Sequence, residues 1–434
     1  MKRLLFIGVM QCVILGLFGR VRLGDWTISV ALSGYVSEET GKAPNAYLWM
    51  PDSCGRIRFV VLAQQNMTEE ALLRNSRFRA NLQELGGAVI WVAPWFSQDW
   101  SPATGCQQTF EKMMKDLAEQ SGHKELEGIP VVPFGHSAQA TFPWNFAAWN
   151  NDRTLAVVSF HGDAPRTNLC GYGRENLEWG RNRNIDGIPG LMIEGEYEWW
   201  QARVRPAKAF QMMYPDACVS FFCDAGSGHF DLSEATVDYI SLFIRKACEQ
   251  RLQAEGILRR LSPSEGWRFG APSGGEQEGN TITAFPTTPP AAWTAYPDDP
   301  HDAFWYFDEE MARLTMSRYM ETAYKKPQQV GLRYQGRSIS YDSRQQGGMF
   351  LELSHLAIGD RFTLEAVGDQ DTARCHVDYI CGPVRKLTDK VFEIIPYDCG
   401  ADNPKRSHTA WLVAVAEGDR IYKRAVQPVQ IKLR

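Results

Sequence analysis

The sequence lacks an excess of charge of either sign: 46 basic and 51 acidic side chains give a formal net charge of −5. Such a balance offers no broad basic surface to a phosphate backbone, which argues against nucleic acid as the main partner. No internal repeat is present, and no CxxC pair has a matching partner pair, so structural zinc is not expected. Long apolar runs are missing apart from residues 4–18, broken only by Gln11, and that run is too short to span a bilayer as a mature helix. Apolar residues at 44% and charged residues at 22% exclude wholesale disorder, collagen and a coiled coil.

What is present begins with Lys2 and Arg3 ahead of that apolar run, the pattern of a secretory signal over about residues 1–20. Export to a periplasmic or extracellular site is therefore expected. A cell-surface lipoprotein anchored at Cys12 fits less well, because Gln11 precedes it. An oxidising compartment permits disulfides among the other nine of the 10 cysteines, with at least one thiol left over. Two of Cys375, Cys381 and Cys399 are candidates to pair.

From residue 25 to about 260, apolar runs bounded by turn residues alternate with helical patterns. Strands are expected at 45–50, 57–63, 88–93, 129–134, 155–160, 190–194 and 217–223, the first two as neighbours. Helices are expected at 68–85, 107–120, after Ser137 and at about 232–254. That alternation predicts a mostly parallel, doubly wound α/β sheet with helices on both faces. Residues 261–326 read as a linker and docking segment: 262–300 is rich in Gly, Pro, Thr and Ser, 304–324 looks helical, and Phe304-Trp305-Tyr306-Phe307 is aromatic enough to dock on the first domain. Short strands with frequent turns over 327–434 predict an appended, smaller β-sandwich-like domain. Oligomeric state is not readable from the sequence.

The chemistry concentrates at strand ends. Val131-Val132-Pro133-Phe134-Gly135-His136-Ser137 is a strand running into Gly-x-Ser and then a helix, the setting of a nucleophile elbow. Gln139 stands where a second Gly is commoner, and Gly336-Arg337-Ser338 repeats the tripeptide without a following helix. A serine needs a base. His229 lies in the Gly-rich loop Asp224-Ala225-Gly226-Ser227-Gly228-His229 after the last strand, with His161 as a competitor for substrate contact or packing, while His136, next to Ser137, is read as pointing elsewhere. An acid belongs on the loop between them, and Glu198 is first choice, with Glu196 and Asp163 as alternatives. Oxyanion donors are expected at the Ala138 N–H and at Gln64 or Gln65. Taken singly, each residue reads equally as an ordinary turn, core or solvated group; their order Ser, acid, His on successive strand ends joins them.

On these residues the chain resembles the α/β-hydrolase superfamily. The segments GHSAQATFPWNFAAWN, SFHGDAP, GEYEWW and DAGSGHFDLS are similar to α/β-hydrolase-type pectin methylesterases of glycan-degrading bacteria. The resemblance implies a secreted carbohydrate esterase that cleaves methyl esters of pectic uronic acids through a Ser-His-acid triad and an acyl-enzyme, with a polysaccharide or oligosaccharide partner and without a metal or cofactor. One or two of Trp144, Trp149, Trp199 and Trp200 would face the sugar, with His161 as a further contact, and Arg203 would bind a neighbouring uronate. Acetyl or feruloyl esterase activity on plant cell-wall glycans is the alternative within the class. A non-catalytic glycan-binding module is the alternative outside it.

Overall fold

The computed structural model describes residues 26–433, apart from 38–39, 53, 168–176, 180–183, 199–200, 275–281, 340–347, 371–372 and 398–407. The signal expected at 1–20, and Trp199, Trp200 and Cys399, lie outside the described residues. Among the described residues no helix is long and apolar enough to cross a membrane.

Eight strands form one sheet: β1 (Ile28–Ala31), β2 (Asn45–Trp49), β3 (Phe59–Gln64), β4 (Gly87–Ala93), β5 (Val131–His136), β6 (Val157–Phe160), β7 (Pro189–Gly195) and β8 (Cys218–Asp224). Their spatial order is β1-β2-β4-β3-β5-β6-β7-β8. β2 runs against both neighbours, and β3 to β8 run parallel. This is the mostly parallel α/β sheet expected from the sequence. All six residues of β3 are buried, as expected of a strand covered on both faces. Its side chains alternate between two cores: Phe59, Val61 and Ala63 in one, Val60 and Leu62 in the other. Helix α3 (Cys106–Ser121) closes the second core with Phe110, Met113, Met114 and Leu117. Helices α2 (Ser76–Leu85) and α6 (Glu234–Arg251) close the first with Phe78, Leu82, Ile240 and Phe243.

Three local expectations need correction. β2 and β3 are not neighbours, because β4 lies between them; parallel pairing of β3 with both β4 and β5 leaves β2 only the outer edge of β4. The helix expected over 68–85 is two, α1 (Thr68–Arg74) and α2, broken where Asn75 turns extended and accepts the N–H groups of Arg77 and Phe78. The segment read as a linker carries strand β9 (Trp267–Gly270), paired antiparallel with β10 (Ala303–Tyr306). Phe304, Trp305 and Tyr306 are therefore strand, not helix, Phe307 follows in the turn before the next helix, and all four are buried in the first core. Helix α7 (Glu309–Thr322) starts only after Asp308 caps it.

The remainder is two facing sheets. One holds β11 (Val330–Tyr334), β13 (Arg361–Gly368), β16 (Val391–Ile394) and β15 (Val384–Lys386) in that order. The other holds β12 (Met349–Glu352), β18 (Ala425–Lys432), β17 (Thr409–Ala416) and β14 (Cys375–Cys381). Leu332, Leu364 and Phe392 meet Leu412, Ala414 and Ile431 between them. The uninterrupted apolar sequence of β17 has a physical reason: Leu412 and Ala414 face the sandwich core, while Trp411, Val413 and Val415 pack with Met67 and Phe230 of the first domain. Cys375 and Cys381 stand at opposite ends of β14, about 20 Å apart at a strand's rise, so these two cannot pair with each other.

Arg251, at the end of α6, is buried and donates to the carbonyls of Thr154, Leu155 and Arg259, tying the helix to the start of β6. Replacing it leaves those carbonyls without a donor. Arg251→Met is expected to lower unfolding free energy by about 2–4 kcal/mol in urea denaturation, with an unchanged slope.

Candidate active site

β5 delivers Ser137 at its C-terminal end with φ 53, a left-handed conformation unusual for a residue with a side chain. The turn closes because its surroundings are small. A Cβ at Gly135 would stand 2.0 Å from the Gln139 carbonyl oxygen, and one at Gly162 would stand 1.9 Å from the Ala140 Cβ. Position 139 itself does not need glycine, which accounts for the departure seen in the sequence. The Gln98 amide donates to the Ala138 carbonyl at 2.8 Å and steadies the turn from the other side. The second Gly-x-Ser lies on an exposed two-residue strand, Arg337–Ser338, and forms no elbow.

His229 reaches the serine from the loop after β8. Its Nε2 is 2.7 Å from Ser137 Oγ, and its Nδ1 is 2.5 Å from Glu198 Oε2. A carboxylate only accepts, so Nδ1 carries the proton and the Nε2 lone pair faces the serine hydroxyl. Glu198, on the loop after β7, also accepts the Gly195 N–H at 2.8 Å. The two loops touch backbone to backbone: Glu196 N–H donates to Asp224 O and Tyr197 N–H to Ser227 O. A Cβ at Gly195 would lie 2.7 Å from the Gly228 carbonyl oxygen, so only glycine permits that approach.

The alternative acids are engaged elsewhere. Asp163 accepts the Thr141 hydroxyl at 2.7 Å, and Glu196 pairs with Lys423 at 2.6 Å. Arg203 does not face a substrate. It is fully buried, 3.0 Å from Glu194 and 3.4 Å from Glu198, because its helix (Gln201–Met213) turns that face toward the sheet. Trp144 is likewise buried, its Nε1 donating to the Asp163 carbonyl and its ring filling the space over Gly190. The Gln65 N–H is spent on Val92 O, and the Gln64 side chain holds Phe96 and Ser97, so neither group offers a donor to the serine. Ala138 follows Ser137 directly at the elbow.

Burial alone would raise the Glu198 carboxyl. The charges of His161 and His229, the His229 hydrogen bond and Arg203 outweigh it and hold Glu198 well below the ordinary carboxylate range. Glu194 goes the other way: burial lifts it well above the ordinary range, and Arg203 only partly offsets that. Glu198 is thus kept ionised chiefly by its histidine neighbours, while burial favours a proton on Glu194 in spite of Arg203.

His136 was readable only as the residue beside the serine, pointing elsewhere. Its ring instead lies 5.0 Å from that of His229, and its Nε2 donates to the His229 carbonyl at 2.7 Å. His161 Nδ1 donates to the same carbonyl at 3.0 Å and lies 3.4 Å from Glu198 Oε1, so this competitor for substrate contact supports the base from within. Three histidine ring nitrogens lie within 4.8 Å of one another here, a spacing that also suits metal ligands. Two of these rings are committed as N–H donors to the His229 carbonyl, and the cluster is read as a hydrogen-bonded support.

No family model matches the sequence, and no curated protein matches it. Similar solved structures include the fluorophosphonate-binding serine hydrolase FphF of Staphylococcus aureus, 14% identical over 51% of this chain and 97% of that one, with a TM-score of 0.36. An S-formylglutathione hydrolase from Agrobacterium tumefaciens is 15% identical over 51% and 92%, with a TM-score of 0.34. A Bacillus cereus carboxylesterase is 14% identical over 46% and 93%, with a TM-score of 0.34.

Burial, then the charges of His229 and His161, lowers the His136 pKa well below 6.5. The unfolded chain takes up that proton near pH 6.5 while the folded chain resists it. Stability contributed by neutral His136 is therefore complete above pH 6.5 and lost as pH falls below it. His136→Gln is expected to flatten the decline of unfolding free energy between pH 6.5 and 5 by up to one proton, about 1.4 kcal/mol per pH unit.

Proposed function

We propose that this chain is a serine ester hydrolase acting through an acyl-enzyme. The observation that carries the reading is the continuous contact from Ser137 Oγ to His229 to a buried, ionised Glu198. Ser137 Oγ attacks the ester carbonyl carbon while His229 Nε2 takes its proton. Glu198 holds the imidazole in the required tautomer and stabilises the imidazolium. The Ala138 N–H is assigned to the developing oxyanion. Collapse of the tetrahedral intermediate expels the alcohol, which receives the proton from His229. Water, deprotonated by His229, then releases the acid and restores Ser137.

A fluorophosphonate probe is expected to label wild-type protein stoichiometrically and Ser137→Ala not at all. Glu198→Gln is expected to lower kcat on a small activated ester by about 10³–10⁴-fold. Asp163→Asn, in contrast, is expected to keep kcat within about tenfold, as its carboxylate accepts the Thr141 hydroxyl while the two His229 ring nitrogens face Glu198 and Ser137. Unchanged turnover in Glu198→Gln would remove it as the acid.

The finer reading is an exported carbohydrate esterase for methyl esters of pectic uronic acids. It rests on the resemblance of the four segments around the elbow and the two loops, and export fits the basic start and apolar run at 4–18. Recognition of the uronate must come from residues other than Arg203 and Trp144, which are buried behind the serine. Methyl-esterified pectin fragments, acetylated xylan and a feruloyl ester, each incubated with wild type and Ser137→Ala, separate the substrates: serine-dependent release of methanol alone is expected. Serine-dependent acetate or ferulate would move the assignment to the corresponding esterase. Glycan retention without any release would favour a binding module.

A further inference from the structure

The β-sandwich meets the hydrolase domain behind the loops that carry Glu198 and His229. Adjacent residues Lys423 and Arg424, just before β18, each seize one of those loops. Lys423 Nζ lies 2.6 Å from Glu196 Oε1, a fully buried carboxylate whose other oxygen accepts the Gly226 N–H at 2.8 Å. Glu196 is two residues from the acid, and Gly226 is three from the base. Arg424 pairs with Asp231, also buried, and donates to the Ser227 hydroxyl at 3.3 Å. Asp231 in turn accepts the Gly228 N–H at 2.8 Å, so it pins the residue immediately before His229.

Backbone and apolar contacts run alongside these ion pairs. Gly226 has φ +78, and a Cβ there would sit 2.6 Å from the Arg424 carbonyl oxygen. Phe230, next to His229, stacks on Trp411 of β17 with ring centroids 5.4 Å apart. The loop after β3 is held too: the Gln65 amide donates to the Tyr397 hydroxyl at 3.1 Å, and that hydroxyl donates to Glu70 at 2.8 Å.

We infer that the sandwich is part of the catalytic apparatus, with Lys423 and Arg424 as positioning residues that set the acid and base loops in register with Ser137. The physical argument is that both pairs are buried. A buried carboxylate that loses its cation must find another partner or take a proton, and either moves its loop. The loops in question hold Glu198 and His229 by backbone segments only a few residues long, so the displacement reaches the catalytic contacts directly. A shift of about 1 Å in a catalytic group is enough to cost on the order of 10²-fold in rate.

This inference rests on the ester hydrolase reading, and the test separates the two. Full-length wild type, Arg424→Lys, Arg424→Met and the neutralised pair Glu196→Gln/Lys423→Met are compared on p-nitrophenyl acetate. Turnover is counted per fluorophosphonate-labelled serine, below each variant's melting temperature. Wild type that neither labels nor turns over would overturn the esterase reading itself. With wild type active, kcat per labelled site is expected to fall in the order wild type, Arg424→Lys, Arg424→Met, by about tenfold or more at Met, with KM within about twofold. The neutralised pair is expected to lose kcat likewise. Wild-type kcat per site in these variants, whatever their loss of stability, would overturn the inference and reduce the ion pairs to a brace. Should Arg424→Met not fold, Arg424→Lys decides alone: a drop of about threefold in kcat supports the inference and no drop overturns it.

Discussion

A negative charge buried at Glu198 is the constraint on which the rest of the site depends. A carboxylate withdrawn from water must be matched by charge and by hydrogen bonds, or it takes a proton. Here the match is distributed: the His229 N–H and the Gly195 N–H bind it directly, and Arg203 and His161 lie within 3.4 Å. Each of those partners carries an obligation of its own. Arg203 must also serve Glu194, His161 must divide its N–H between the acid and the His229 carbonyl, and Gly195 must remain without a side chain. The serine is therefore one end of a buried network that extends well behind the surface from which an ester would arrive.

The large features of the fold were legible in the sequence because they follow from periodicity and order. Alternating strand and helix patterns, a strand leading into Gly-x-Ser, an acidic loop and a Gly-rich His loop are all local signals. What was not legible depended on which way a side chain points once the sheet twists and helices pack. Arg203 and Trp144 read as substrate contacts because they neighbour the catalytic loops in sequence, yet both face inward. The Ser/Thr/Gly/Pro-rich stretch after residue 260 read as linker because composition hides a pairing between β9 and β10, which lie more than thirty residues apart. His136, discounted for sitting beside the nucleophile, reaches the base through a backbone carbonyl, and no spacing rule reports such a contact.

The sandwich shows the same limit at a larger scale. Its strands were readable from alternation, but β17 is apolar on both faces, and only the presence of the hydrolase domain explains the second. A strand that is continuously apolar in an antiparallel sheet points to a partner on its outer face. That signal was available and is specific enough to be sought in other two-domain chains. The buried carboxylate Glu196, by contrast, read as an alternative acid or a solvated loop residue until the cation at 423 was placed beside it.

The position of those cations along the chain also orders events in time. Ser137, Glu198 and His229 are all synthesised long before Lys423 and Arg424, and the hydrolase sheet has its full set of strands before the sandwich exists. A nascent or partly folded chain thus holds every reactive group while the supports behind two of them are still missing. Full alignment becomes the last step of folding, conditional on a long-range docking that ranks among the slower kinds of contact to form. The chain carries its own quality check: molecules whose second domain misfolds are left with loosely held reactive groups.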